Sequence, residues 1–169
     1  MLAYVIQNLE LNKEIFSKLL VNKSSTEYKW KQEESKWCLL EIVGHLIDEE
    51  IYDFRTRLKT VMDTPGIFPP PIYPVEWVKE HDYINQDYNK QVQRFIEERS
   101  ISLQYLRKLS VPPLENFYPH PSLGNLSGHH FLNNWLAHDY LHIKQITRLN
   151  YDFLAAQSSV PISYAGKWT

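Results

Sequence analysis

The chain of 169 residues is long enough to bury a sizeable core, and we read residues 1–169 as one domain. Apolar residues make up 43% and charged residues 22%, and a formal charge of −2 with acids and bases interleaved leaves no basic footprint for nucleic acid or an anionic membrane. Only five glycines, with neither G-x-G-x-x-G nor G-K-[ST] anywhere, exclude the glycine-rich phosphate loops and argue against a turn-rich all-β fold.

Residues 2 to 22 place Leu2, Val5, Ile6, Leu9, Ile15, Phe16, Leu19 and Leu20 at a helical period with Lys and Glu between them. The pattern breaks over Asn22 to Glu34, a connection whose one large apolar residue is Trp30. Ser35 then reads as the N-cap of a second helix running to about Met62. Its apolar side collects Leu39, Ile42, Val43, Leu46, Ile47, Phe54 and Leu58. Beside it runs a polar, titratable stripe of Glu41, His45, Asp48, Tyr52 and Arg55. A helix needs such a stripe when it lines a polar cavity.

Asp63 to Tyr83 holds Pro65, Pro69, Pro70, Pro71 and Pro74, which fix φ and remove donors, so an extended ordered loop is expected. Loops of this length often serve as lids or binding loops. A third helix follows over residues 84–109, with Val92, Phe95, Ile96, Ile101, Leu103, Leu106 and Leu109 as core candidates, stopped by Val111-Pro112-Pro113. After a second loop, Leu114 to Asn125, Ser127 caps a fourth helix to about Asn150. The inward stripe of that helix reads Phe131, Trp135, His138, His142, Gln145 and Leu149. The tail, 151–169, is weakly patterned and is expected to pack through Leu154, Tyr164 or Trp168. Four long periodic segments without a convincing strand give an all-α, four-helix bundle with a long Pro-rich loop between helices 2 and 3.

Cys38 is the single cysteine, which rules out an internal disulfide and suits a reducing compartment. Its apolar setting makes it a buried small hydrophobe rather than a nucleophile. Met1 to Leu11 lacks the basic start and cleavage site of a signal peptide, and no window approaches the ~20 apolar residues of a membrane span. A cytoplasmic protein is expected.

Chemistry concentrates in His138-Asp139-Tyr140-Leu141-His142. Histidines four apart lie on one helix face, the spacing at which one cation takes both rings. His45 stands at mid-length of the second helix and could meet them across the bundle core. Three neutral imidazoles suit Zn, Ni, Cu or Fe and leave positions open for water. Chance supplies such a pair readily among seven histidines, and a bare bundle is the plain alternative. Gln145, one turn beyond His142, could orient a ring. Asp139 points about 100° away from His138 and is read as a hydrogen-bond or packing partner, not a ligand. Asp48 and Glu49 lie on the metal side of their helix, either as acceptors for a ring or as a general base, with a solvated carboxylate the alternative for Glu49. His130 could line the site's mouth, though a cap or surface role fits it as well. His120 and His129 are weaker candidates, and His81, beside the long loop, reads as surface.

The stretches Trp37 to Arg55 (WCLLEIVGHLIDEEIYDFR) and His120 to Ile146 (HPSLGNLSGHHFLNNWLAHDYLHIKQI) resemble the DinB/YfiT-like family of four-helix-bundle metalloenzymes. The resemblance covers most of the chain and matches His45, His138 and His142 to the family's three metal ligands. It implies a divalent metal (nickel, zinc, manganese or iron). It also implies activity as a thiol S-transferase with a low-molecular-weight thiol as co-substrate, or as a hydrolase, on a small molecule. A homodimer, without nucleic acid or membrane, is the implied assembly. The alternative is a non-catalytic metal-binding or dimeric stress-related bundle.

Overall fold

Leucines and valines at helical spacing wind Leu2–Leu20 into α1, which buries Val5, Leu9, Asn12, Phe16 and Leu20 on one face. The computed structural model of the chain describes residues 1–166 and 168. The connection after α1 is not featureless. Ser24 and Glu27 form a reciprocal capping box, each side chain accepting the other's backbone N–H, and this starts the one-turn helix α2, Ser25–Tyr28.

The second long helix begins at Leu39 and not after Ser35. Glu41 reaches back to accept the Cys38 N–H at 2.9 Å while pairing with Lys31 at 2.8 Å, and this fixes the start. It comprises α3 (Leu39–Asp48), a π-helical segment (Glu49–Phe54) and α4 (Arg55–Asp63) without a break in direction of winding. The Pro-rich segment is extended only to Tyr73. Pro74 then opens α5, Pro74–Glu80, at a first-turn position where a missing N–H costs nothing. A 3-10 turn, Tyr83–Asn85, leads into α6, Tyr88–Lys108, which is capped by Asp87 accepting from the Lys90 N–H at 2.9 Å. Ile101, a core candidate by period, is 48% exposed, and Arg99 occupies the core in its place.

The expected second loop contains a hairpin: β1 (Phe117–His120) pairs antiparallel with β2 (Gly124–Ser127) and drops Tyr118 and Leu126 onto the core. Four-residue strands are too short for their period to stand out from a loop. Ser127 does cap the last helix, α7, Gly128–Gln157, accepting from the His130 N–H, and α7 runs seven residues beyond Asn150. In the tail Leu154 and Tyr164 are exposed, and Trp168 packs against Tyr151 with ring centroids 5.4 Å apart.

α1 packs on α6 and α7, α3 on α6, and α4 on α7. The ring of helices therefore runs α1, α6, α3–α4, α7, with the first two long helices diagonal to each other. No helix among the described residues is long and apolar enough to cross a membrane.

The core divides in two. One apolar cluster gathers Val5, Leu9, Phe54, Leu58, Leu103, Leu106 and Trp135, and the other Phe16, Leu20, Ile42, Leu46, Phe95, Ile146 and Leu149. Between them lies a buried polar layer to which every long helix contributes. Arg99 grips Asp139 through both terminal nitrogens at 2.7 and 2.6 Å, and its Nε donates to Glu50 at 2.8 Å. Asn12 donates to Asp139, and the Trp135 indole donates to Glu50. Removing the central cation would leave two carboxylates dry and uncompensated. Arg99→Ala should lower the unfolding free energy in urea by about 3–5 kcal/mol, the range for breaking one side of a buried pair.

Candidate metal centre

The polar layer places the histidines. Asp139 and Glu50, both held by Arg99, are the immediate neighbours of His138 and Glu49, so the network sets the height and rotation of the helices that carry the cluster. His45 projects from α3 and meets His138 and His142 from α7. Their Nε2 atoms converge: His45 to His138 is 3.4 Å and His138 to His142 is 3.0 Å, and one ligand atom from each ring lies within 4.8 Å of the others. Imidazole–metal bonds of about 2.1 Å at octahedral to tetrahedral angles put ligand nitrogens roughly 3.0–3.4 Å apart, so the spacing fits one cation. Among the described residues this is the one such cluster of three or more His, Cys, Asp or Glu.

The surroundings keep the rings neutral. Burial lowers His45 to about 3, His138 to about 2 and His142 to about 4, so all three stay in the ligating form at neutral pH. Phe54 lies 5.2 Å from the His138 ring, between centroids, and stacks in turn on Trp135, which closes the cluster toward the core. On the opposite side the Trp37 ring covers His45 at 4.9 Å. His138 keeps about one fifth of its side chain open to solvent.

Glu49 follows His45 by four residues and is buried at 5% exposure, which corrects the solvated alternative. Its carboxylate oxygens lie 3.8 Å from His45 Nδ1 and 4.0 Å from His138 Nε2. Burial, reinforced by the Asp53 carboxylate one turn on, pushes Glu49 up to about 9. Glu49 Oε1 and the Nδ1 atoms of His45 and His142 are buried without hydrogen-bond partners. Native proteins leave few such atoms, and three at one cluster of nitrogens mark a place shaped for something other than packing.

The remaining candidates fall elsewhere. Asp48 turns to the far side of its helix, where it accepts from the Tyr83 hydroxyl at 2.8 Å and lies 3.1 Å from His81 Nδ1. His81, read as surface, is thus half-buried in a network. Gln145 lines a neighbouring groove with Trp37 and Arg148 and sits close enough to the His142 ring to offset part of the effect of its burial, without a well-formed hydrogen bond to Nδ1. His120 accepts from backbone N–H groups of its own hairpin turn, His129 pairs with Glu115, and His130 contributes its backbone N–H to the Ser127 cap. Trp37, Asp53 and Arg99 were not foreseen. A charged residue standing on the apolar stripe of the third helix was the available signal for Arg99.

The DinB superfamily model matches residues 8–146. Among solved structures the chain is similar to YfiT from Bacillus subtilis, described as a probable metal-dependent hydrolase with an unusual four-helix bundle topology. The TM-score is 0.78 at 18% identity, covering 90% of this chain and 87% of that one. A search of the curated proteins finds no match.

In metal-free protein the cluster has a defined linkage to pH. Each ring is neutral when folded but takes up a proton near 6.5 when unfolded, so the unfolded state binds more protons between that value and the lowered ones. Stability is therefore lost as pH falls through this interval. Glu49 has the opposite sign: it holds its proton up to about 9 when folded, so its contribution is lost as pH rises from the unfolded value of 4.5. Comparing chelator-treated wild type with His45→Asn isolates one ring. From about pH 6 to about pH 5 the wild type should lose roughly 1.4 kcal/mol more than the variant in urea unfolding.

Proposed function

The chain belongs to the DinB superfamily, and from that premise we propose that it is a divalent-metal-dependent hydrolase of a small molecule, with His45, His138 and His142 holding the metal. The observation that carries this reading is the convergence of three Nε2 atoms from two facing helices. The similarity to YfiT, itself described as a probable metal-dependent hydrolase, supports the class of reaction.

A divalent ion held there would supply a Lewis acid that polarises the substrate, lowers the pKa of the attacking group and favours the ionised form of Glu49. The chain's own part begins with the neutral rings, which burial keeps available as donors of a lone pair. Glu49 then stands within reach of the reacting region as the base that takes the nucleophile's proton, since its carboxylate is 4.0 Å from His138 Nε2. Asp48 is committed to Tyr83 and His81 and is not the base in this reading. Phe54 and Trp135 exclude water from the inner side of the cluster.

The nucleophile comes from outside the chain. Cys38 is wholly buried, and burial pushes its thiol up to about 11, so it is inert. Water serves hydrolysis. A low-molecular-weight thiol in the same position would make the reaction a thiol S-transfer, the second reading, which the lack of an internal nucleophile favours equally.

Protein purified without an affinity tag should contain about one divalent ion per chain by elemental analysis, as three imidazole ligands at one point require. His138→Ala should lose that metal while far-UV circular dichroism keeps its helical signal. Glu49→Gln should retain the metal and lower turnover by about 10²–10⁴-fold, the usual share of a positioned base. A panel of esters and amides, run beside thiol-conjugation acceptors, separates the two reactions. Protein that carries no divalent metal and takes none up at micromolar levels would overturn the reading.

A further inference from the structure

Across α3 from the histidine cluster the chain builds a second polar cavity that none of the three histidines lines. It holds about 250 Å3 between Asp48, Tyr52, His81, Tyr83, Gln86 and Arg94. One part of its wall, Asp48, His81, Tyr83 and Gln86, is ordered by hydrogen bonds. Asp48, 1% exposed, accepts the Tyr83 hydroxyl on one oxygen and faces His81 Nδ1 with the other. Gln86 donates to the His81 carbonyl at 2.6 Å and accepts from Gln91 at 2.5 Å. Gly44 makes the arrangement feasible, because a Cβ at that position would overlap the Tyr83 ring.

Hydrogen-bond accounting shows what the cavity lacks. Both Asp48 oxygens and the Gln86 carbonyl are already used as acceptors. Arg94 is exposed at the cavity and makes no ion pair or hydrogen bond among the described residues. The Tyr52 hydroxyl and His81 Nε2 likewise have no partner there. What remains open is the guanidinium with its five N–H donors and a phenolic hydroxyl, beside His81 Nε2, which donates only in the doubly protonated form of the ring. Asp48, the one negative charge in the wall, feels the Arg94 charge but is 1% exposed and turned to Tyr83 and His81, so it is the exposed guanidinium that fronts solvent there. The Tyr52 and Tyr83 rings supply an aromatic side, and Trp77 backs Tyr52 with its ring 5.4 Å away.

We propose that this cavity is a second ligand site, distinct from the histidine centre, which binds a small molecule bearing a carboxylate or phosphate through Arg94, Tyr52 and His81. A guanidinium fork is matched to either oxyanion, and flanking hydroxyl and imidazolium donors complete its coordination. The aromatic wall gives room for an apolar substituent.

The test is a titration with inorganic phosphate and, separately, with acetate, on both metal-loaded and chelator-treated protein. NMR signals of the His81 ring and the Trp77 indole report the site. Saturable shifts are expected with at least one of the two anions in both forms of the protein, and the anion that saturates identifies the oxyanion. Arg94→Ala, at an exposed position, should weaken the apparent Kd at least about tenfold with metal content and circular dichroism unchanged. Tyr52→Phe should weaken it less. The proposal is overturned if neither anion saturates, if Arg94→Ala binds as tightly as wild type, or if the shifts appear only in metal-loaded protein. The last result would assign the anion to the histidine centre. Because the metal-free arm does not depend on the centre, this site can fail while the metal reading stands, and the reverse.

Discussion

The bundle is organised around one buried cation. Arg99 sits at 1% exposure with two carboxylates against it, one from the π segment and one from α7, while the Leu9 carbonyl and Asn12 bring α1 to the same point. Desolvating three charges costs several kcal/mol per ion, and apolar side chains of equal volume could fill the space at no loss of stability. What the ions add is register. Apolar contacts tolerate a sliding helix, whereas a bidentate pair at 2.6–2.7 Å does not. Four helices joined by long connections, with the first and second, and the third and fourth, diagonal across the ring, have more to lose from slippage than a simple up-down bundle.

That register is what the histidines use. Nε2 atoms on α3 and α7 must meet within a few tenths of an ångström, and Arg99 holds Asp139, next to His138, and Glu50, next to Glu49. The same layer thus contains two kinds of buried polar group. On the inner side the Arg99 nitrogens are matched to acceptors, and the result is structure. On the outer side His45, His142 and Glu49 keep atoms unmatched, and the result is a site.

Much of this was legible in the sequence because its signals are local and periodic. Helical spacing gave four long helices, Ser127 gave the start of the last, and the four-residue interval gave the shared face of His138 and His142. Helical geometry also turned Asp139 away from that face, and it meets Arg99 there. What stayed hidden depends on choices among near-equal local options. Ser35 is as good a cap residue as any, but Glu41 selected Cys38 by reaching back to its N–H. The hairpin at Phe117–Ser127 buries two side chains, too few for its alternation to read as strand. The stripe Glu41, His45, Asp48, Tyr52, Arg55 looked like one surface, yet its members reach Lys31, His138, Tyr83, Trp77 and Glu98 respectively. The first three diverge within regular α-helix by their own offsets of roughly 40–60°, and only Tyr52 and Arg55 lie in or beyond the segment whose winding changes at Glu49.

That change has a consequence for how the long helix can vary. A π turn carries one more residue than the α turn it replaces, and each residue of an α-helix advances about 100° around the axis. The segment Glu49–Phe54 therefore works as a phase shifter between two rods wound from one continuous strand of chain. Upstream, the phase is set by His45, which must face α7. Downstream, it is set by Leu58, Val61 and Met62, which must face the other apolar cluster. Because the π turn uses its extra residue on the same rotation, shortening the segment by a single residue would restore regular winding with the two rods still in phase. A one-residue deletion at this spot is thus absorbed without changing which face looks inward, whereas the same deletion in either α-helical half would turn one rod about 100° against the other.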